Sequence, residues 1–249
     1  GTSFADGDES FILWRVNTLT DVLMQLGSTN TYADICYMLS QARSDVAKAT
    51  QSCNEDNALN SIQRNIEVLS ELATVIYRKT PPAPAIYFFE KLNKIIERAN
   101  KEMSDIPIVF KLSTDKPIYE DIPVNISEKL LYVCMFSVLK AMVRCSDRNL
   151  FVLSVSVSDN NINISSSFSI SADTHTGMIA DDFEMYSAKL YIGYIGGKMS
   201  YNIKDSIGRL EIAIPTGDSS TLNSPLYAVP PETCEKLAGV FMRGIADKK

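Results

Sequence analysis

Apolar residues recur at helical spacing through the first third of the chain. Leu19, Val22, Leu23 and Leu26, then Ile35, Met38, Leu39, Ala42 and Val46, fall on one face of a 3.6-residue period. Gly27-Ser28-Thr29-Asn30 interrupts that period, which predicts a kinked helix or two helices over residues 11–50, and the polar run 51–57 predicts a turn. Leu59, Ile62, Ile66, Leu69, Ala73 and Ile76 then step alternately by three and four, the seam of a helix that packs lengthwise against partners. Such a stripe is ordinarily a core face. Two antiparallel helices bury little by themselves, so the hairpin is expected to pair with a second copy as a four-helix bundle. The expectation is a homodimer through residues 11–79.

The proline-rich residues 80–84 form a stiff, non-helical joint, because proline lacks the amide donor and restricts the residue before it. The pattern divides the chain into a helical hairpin (1–79), a mixed α/β domain (85–215) and a C-terminal extension (216–249). Residues 88–103 read as a helix with Phe88, Phe89, Leu92, Ile95, Ile96 and Ala99 on its apolar side. Residues 108–112 read as a strand, and 127–145 as a strongly apolar helix with Ser127 as N-cap. Residues 151–157 and 162–170 flank Asp159-Asn160-Asn161, a hairpin signal. Residues 185–195 read as a helix stopped by Gly196-Gly197, followed by strands 199–203 and 209–214 around a turn at 204–208. In the extension, Pro230-Pro231 opens a helix over 232–245 with Cys234, Leu237, Val240, Phe241 and Ile245 on one side, packed on the domain or on a partner.

This order resembles the sensor histidine kinases over residues 11–215: a two-helix dimerisation hairpin, a linker, then an α/β sandwich of the GHKL (Bergerat) type shared with gyrase and Hsp90-like ATPases. The resemblance implies an α+β chain in which a hairpin, four-helical in the dimer, precedes an ATP-binding-type sandwich. It implies a response regulator or another kinase as partner, docking on the hairpin. The motifs that carry the family's chemistry depart from its pattern. A phosphoacceptor histidine belongs on the first hairpin helix, yet the only histidine is His175. The family's two magnesium- and phosphate-binding asparagines, four apart, fall on Phe136 and Lys140. Phenylalanine cannot ligate a hard cation, which needs oxygen donors. Lys140 could meet a phosphate as a point charge, although a solvated helix lysine is the more ordinary reading.

Asp173-Thr-His-Thr-Gly177 has the spacing of the family's Asp-x-Gly-x-Gly box, which implies adenine recognition at Asp173, with Gly177 as the retained glycine and a bulky imidazole in place of the first. A polar loop holding one Asp and one Gly by chance fits those residues equally. Where a second glycine box should open the next helix stand Asp182-Phe183-Glu184, separated from Gly177 by only four residues, leaving no room for a lid. Acids at a helix N-terminus suit the helix dipole, but they occupy the place where bare amides would hold a polyphosphate. Like charges a few ångströms apart in a half-buried cleft cost on the order of several kcal/mol, enough to remove a micromolar affinity.

Composition narrows the remaining classes. Of 249 residues 45% are hydrophobic and 22% charged, the balance of a folded globular chain. The net charge of -6 and pI near 4.9, with no basic cluster, argue against nucleic acid. Five dispersed cysteines without a CxxC pair argue against a zinc site and suit a reducing, cytoplasmic compartment. No apolar run is long enough to cross a bilayer, and the chain starts without Met, which leaves open a sensor, membrane or targeting segment outside it. A nucleophilic triad would have to use His175, whose neighbours Asp173 and Thr174 are too local to build one. Gly193-Tyr-Ile-Gly196 lacks the length and Lys-Ser/Thr of a P-loop. Tyr186, Tyr191, Tyr194 and Tyr201 form a contact surface or, for at least two of them, part of the core. The reading is a signalling scaffold with no catalytic residue, metal or cofactor, whose vestigial nucleotide pocket comprises Asp173, Gly177 and Lys140. The alternative is a divergent ATP-binding kinase using Asp173 and Lys140. A small-molecule sensor built on the vacated pocket is a third, weaker possibility.

Overall fold

The computed structural model describes residues 85–114, 121–158, 160–171, 188–189, 191–193, 195–218 and 229–242. The chain divides into two compact units, Gly1–Thr80 and Pro81–Lys249, and every described residue lies in the second. The expected hairpin and its dimer seam fall outside the described residues.

The order of elements is β1 (Ala85–Tyr87), α1 (Phe88–Glu102), β2 (Val109–Thr114), β3 (Pro123–Asn125), α2 (Glu128–Cys145), β4 (Leu150–Ser158), β5 (Asn161–Ser169), β6 (Lys198–Lys204), β7 (Ile207–Pro215) and α3 (Thr233–Met242). Five strands form one sheet in the order β2-β4-β5-β7-β6, in which only β2 and β4 run parallel. Inward and outward positions alternate as the pleat requires: Phe151, Leu153 and Val155 of β4, Ile162 and Ile164 of β5, and Leu210, Ile212 and Ile214 of β7 are buried. The opposite face carries Ser154 paired with Ser165, and Ser165 with Glu211. This is an α+β sandwich with helices over one face of a mixed sheet.

The six apolar positions expected to face the core from α1 are the six that are buried there. Asp121, from the far side of the chain, caps α1 by accepting from the amides of Phe89 and Glu90, each at 2.8 Å. Asn100 fixes α1 to β2, donating to the Phe110 carbonyl at 3.0 Å and accepting from its amide at 2.8 Å. In α2 every residue from Leu130 to Val143 is buried. A helix buried all round must be covered on its outer side as well as by the sheet. Ser127 stands at the N-cap with extended backbone angles, but its side chain makes no cap hydrogen bond, which corrects the expected role. The Leu131 amide donates to the Ser127 backbone carbonyl instead, at 2.9 Å.

Gly196-Gly197 stops a helix as expected. Gly196 has φ +80°, its amide donates to Gly193 O at 3.1 Å, and the Gly197 amide donates to Ile192 O at 2.8 Å. These two bonds around a left-handed residue make a Schellman motif. The expected β6–β7 turn at 204–208 is tighter than anticipated. Asp205 and Ser206, at φ 53° and 60°, form a two-residue turn of the type I′ class, without the Asn-Gly pair that usually signals one. The short antiparallel pair of β1 with β3 was not anticipated, since three-residue strands beside prolines carry no periodicity. Tyr191 is buried in the core, and the half-buried Tyr201 stacks on Phe168 with ring centroids 6.2 Å apart.

Candidate functional site

Glu128, Tyr132, Phe136 and Lys140 are spaced four apart along α2 and therefore share one slowly drifting face. Glu128 is in the first turn, where a carboxylate complements the helix dipole. Lys91 Nζ of α1 lies 3.3 Å from Glu128 Oε1 and 2.9 Å from Glu90 Oε1. Burial alone would lower the Lys91 pKa, but the hydrogen bonds and charges of Glu90 and Glu128 outweigh it and raise it above the usual lysine value. The Tyr132 hydroxyl donates to Glu128. Burial first, and Glu128 second, drive that phenol far above its ordinary range. Lys94 Nζ sits over the Tyr132 ring, 5.8 Å from its centroid.

One turn further, Phe136 is fully buried and stacks on Phe241 of α3, with centroids 6.3 Å apart and ring planes at 28°. The covering layer that the apolar α2 demands is therefore the C-terminal helix. The extension packs back on its own domain, against α1 and α2. Its Cys234, Leu237 and Phe241 are buried as expected, together with Ala238 and Met242, whereas Val240 is only partly covered. Ile245 lies outside the described residues. Three polar contacts line the α1 side. Lys94 Nζ donates to the Pro231 carbonyl at 3.3 Å, and Arg98 and Lys101 converge on Glu235 at 3.7 Å and 3.5 Å.

The thiol of Cys234 is pushed up to about 11 by burial, an effect partly offset by Lys94 and Arg98, and burial raises that of Cys134 further still. Both thiols are protonated at neutral pH, so neither supplies a thiolate nucleophile. Among the described residues no group of three or more His, Cys, Asp or Glu side chains could hold a metal. At the position of the first expected asparagine there is an aromatic ring against another ring, with no oxygen donor for a hard cation. Lys140 is 5% exposed and engaged within the fold, which overturns the expectation of a solvated helix lysine. A buried ammonium persists only where neighbours compensate its lost hydration.

Asp173, His175, Gly177, Asp181, Asp182 and Glu184 lie outside the described residues, so of the expected nucleotide-binding set only Lys140 is placed. The Phe136–Phe241 stack and the cationic row Lys91, Lys94, Arg98 and Lys101 went unrecognised in the sequence. The row's three-four-three spacing beside an apolar face was a signal available there. Among the described residues no helix is long and apolar enough to cross a membrane.

No family model matches this chain, and no curated protein does. Solved structures do. The full-length histidine kinase ShkA, in complex with AMPPNP, aligns with a TM-score of 0.51 and 11% identity over 76% of this chain and 46% of its own. The histidine kinase AdeS of Acinetobacter baumannii aligns with a TM-score of 0.48 and 14% identity over 74% of this chain and 96% of that one. The catalytic domain of histidine kinase ThkA aligns with a TM-score of 0.41 and 14% identity over 55% of this chain and 95% of that one. The likeness to ShkA is one of fold: an α+β sandwich similar to one within that histidine kinase.

Proposed function

We propose that this chain is a pseudo-histidine kinase, a dimeric signalling scaffold that keeps the sandwich of the kinases without their phosphotransfer. The observation that carries the reading is the burial of Phe136 under Phe241: the α2 position where the fold's catalytic members would need an oxygen ligand for magnesium is apolar, fully buried and covered by the chain's own C-terminal helix. The sequence supports it from two further directions. No residue before His175 can carry a phosphoimidazole, and Asp182 and Glu184 stand in the sequence where the resembling family has a second glycine box, whose bare amides would suit a triphosphate. In this reading the pocket of Asp173, Gly177 and Lys140 is vestigial. The helical hairpin makes the dimer and presents the docking surface for a response regulator or an active kinase.

Incubating the full chain with γ-labelled ATP, magnesium and a receiver-domain protein tests the reading. No label should enter either protein, and label on the chain itself would establish the divergent kinase instead. Sedimentation at micromolar concentration should give a dimer, and a monomer would remove the hairpin from its assigned role.

A further inference from the structure

We infer that Asn100 closes the β2 edge of the sheet: its carboxamide takes the place of a neighbouring strand, so that two copies of the chain do not pair through β2. The two outer strands are β2 and β6. An outer strand presents a row of unpaired amides and carbonyls, a template for pairing with another chain. In β2 the Val109 amide donates to the Asn149 carbonyl at 2.7 Å, towards β4. Backbone groups alternate in direction along a strand, so those of Phe110, Leu112 and Thr114 face outward. Asn100, in the last turn of α1, donates to the Phe110 carbonyl at 3.0 Å and accepts from the Phe110 amide at 2.8 Å. A side-chain carboxamide is chemically a peptide unit, and this double exchange is the one that a residue of an antiparallel neighbour makes. With Phe110 engaged, the open part of this edge shrinks, among the described residues, to Leu112–Thr114, the length of the shortest strands.

The two edges need different devices because their side chains differ. A two-fold antiparallel pair of β6 strands centred on Tyr201 would set Lys198 opposite Lys204 of the second copy, twice over. Like charges directly opposite are destabilising, and lysines on an outer strand are a common guard against such pairing. Of the acids nearby, Glu211 of β7 is opposite Ser200 and accepts from its hydroxyl, and Asp205 lies beyond the end of the strand. No such guard protects β2. Centred on Leu112, the same pairing sets its one lysine, Lys111, opposite Ser113, and Phe110 opposite Thr114. Val109, 42% exposed, adds apolar surface beside them. The side chains of β2 do not oppose self-pairing, and the backbone clasp by Asn100 does. This inference goes beyond the scaffold reading and does not rest on it, since it holds whether or not the chain binds nucleotide.

The test uses the full chain with Asn100→Ala and, separately, with Asn100→Leu, which keeps bulk at the edge while removing both bonds. In sedimentation velocity each variant should show at least about twice the mass of the unaltered chain at the same concentration. Hydrogen exchange at Leu112 and Thr114 should slow as their amides find partners, whereas mere loosening of the strand would speed it. Adding Ser113→Lys, at an exposed position, sets a lysine opposite Lys111 in the pair and should return the mass to that of the unaltered chain. Unchanged mass for both variants at native circular dichroism, association accompanied by faster exchange at Leu112 and Thr114, or association that Ser113→Lys leaves intact would each overturn the inference.

Discussion

Replacing Phe241 by alanine removes a fully buried ring and its stack on Phe136 in one step. Truncating a buried phenylalanine typically costs about 3–5 kcal/mol, of which the ring-on-ring geometry accounts for about 0.5–1.5 kcal/mol. The global cost has a ceiling here. The α3 helix touches the domain mainly through α1 and α2, so once Phe241 is lost the helix can leave while the sandwich stays folded. The expected signature is therefore split. The amides of residues 234–242 should lose protection against hydrogen exchange by nearly the full amount, while urea unfolding of the sheet shifts by less. A double-mutant cycle of Phe136→Ala and Phe241→Ala isolates the contact and should show a coupling of about 0.5–1.5 kcal/mol. Additivity of the two single variants, with exchange in α3 unchanged by either, would refute the idea that these rings hold the helix down.

Three further outcomes follow from the geometry. Cys234 has a raised pKa, so the unfolded chain gives up that proton first as pH rises, and stability should fall between about pH 9 and about 11; replacing it by alanine should flatten the profile by about 1.4 kcal/mol per pH unit in that window, measured by urea unfolding across pH, whereas an identical slope would contradict the assignment. Gly197→Ala would place a Cβ 2.5 Å from the Ala213 carbonyl oxygen, so it should destabilise by about 1–3 kcal/mol in thermal unfolding, while a neutral effect would mean that the turn moves freely. Asp121→Ala removes the acceptor for two amides of α1 and should cost about 0.5–2 kcal/mol, with exchange accelerated at Phe89 and Glu90 before the rest of the helix.

Much of the sandwich was legible because its elements carry strong periodic signals. The six buried residues of α1, the long apolar α2 and the β4–β5 hairpin could each be read from spacing alone. The first misreadings share a cause: the stabilising partner is distant in sequence. α1 is capped by Asp121, more than thirty positions away, so no local motif announced it. Ser127, which has the local look of a cap, leaves its hydroxyl out of that role. Lys140 is a lysine on a helix and nothing near it in sequence tells that α2 is covered on both sides. That covering comes from α3, about a hundred residues downstream. Within the candidate site, the sequence identified which chemistry is missing at Phe136, and the fold identified what stands there instead.

The most direct test of the account is a calorimetric titration of the full chain with Mg-ATP and with ADP, accompanied by thermal unfolding at the same concentrations. With an apolar, covered α2 face and acids at the expected phosphate position, the account predicts no saturable heat and no shift in Tm up to millimolar nucleotide. A micromolar, magnesium-dependent isotherm would contradict it and return the chain to the ATP-binding kinases.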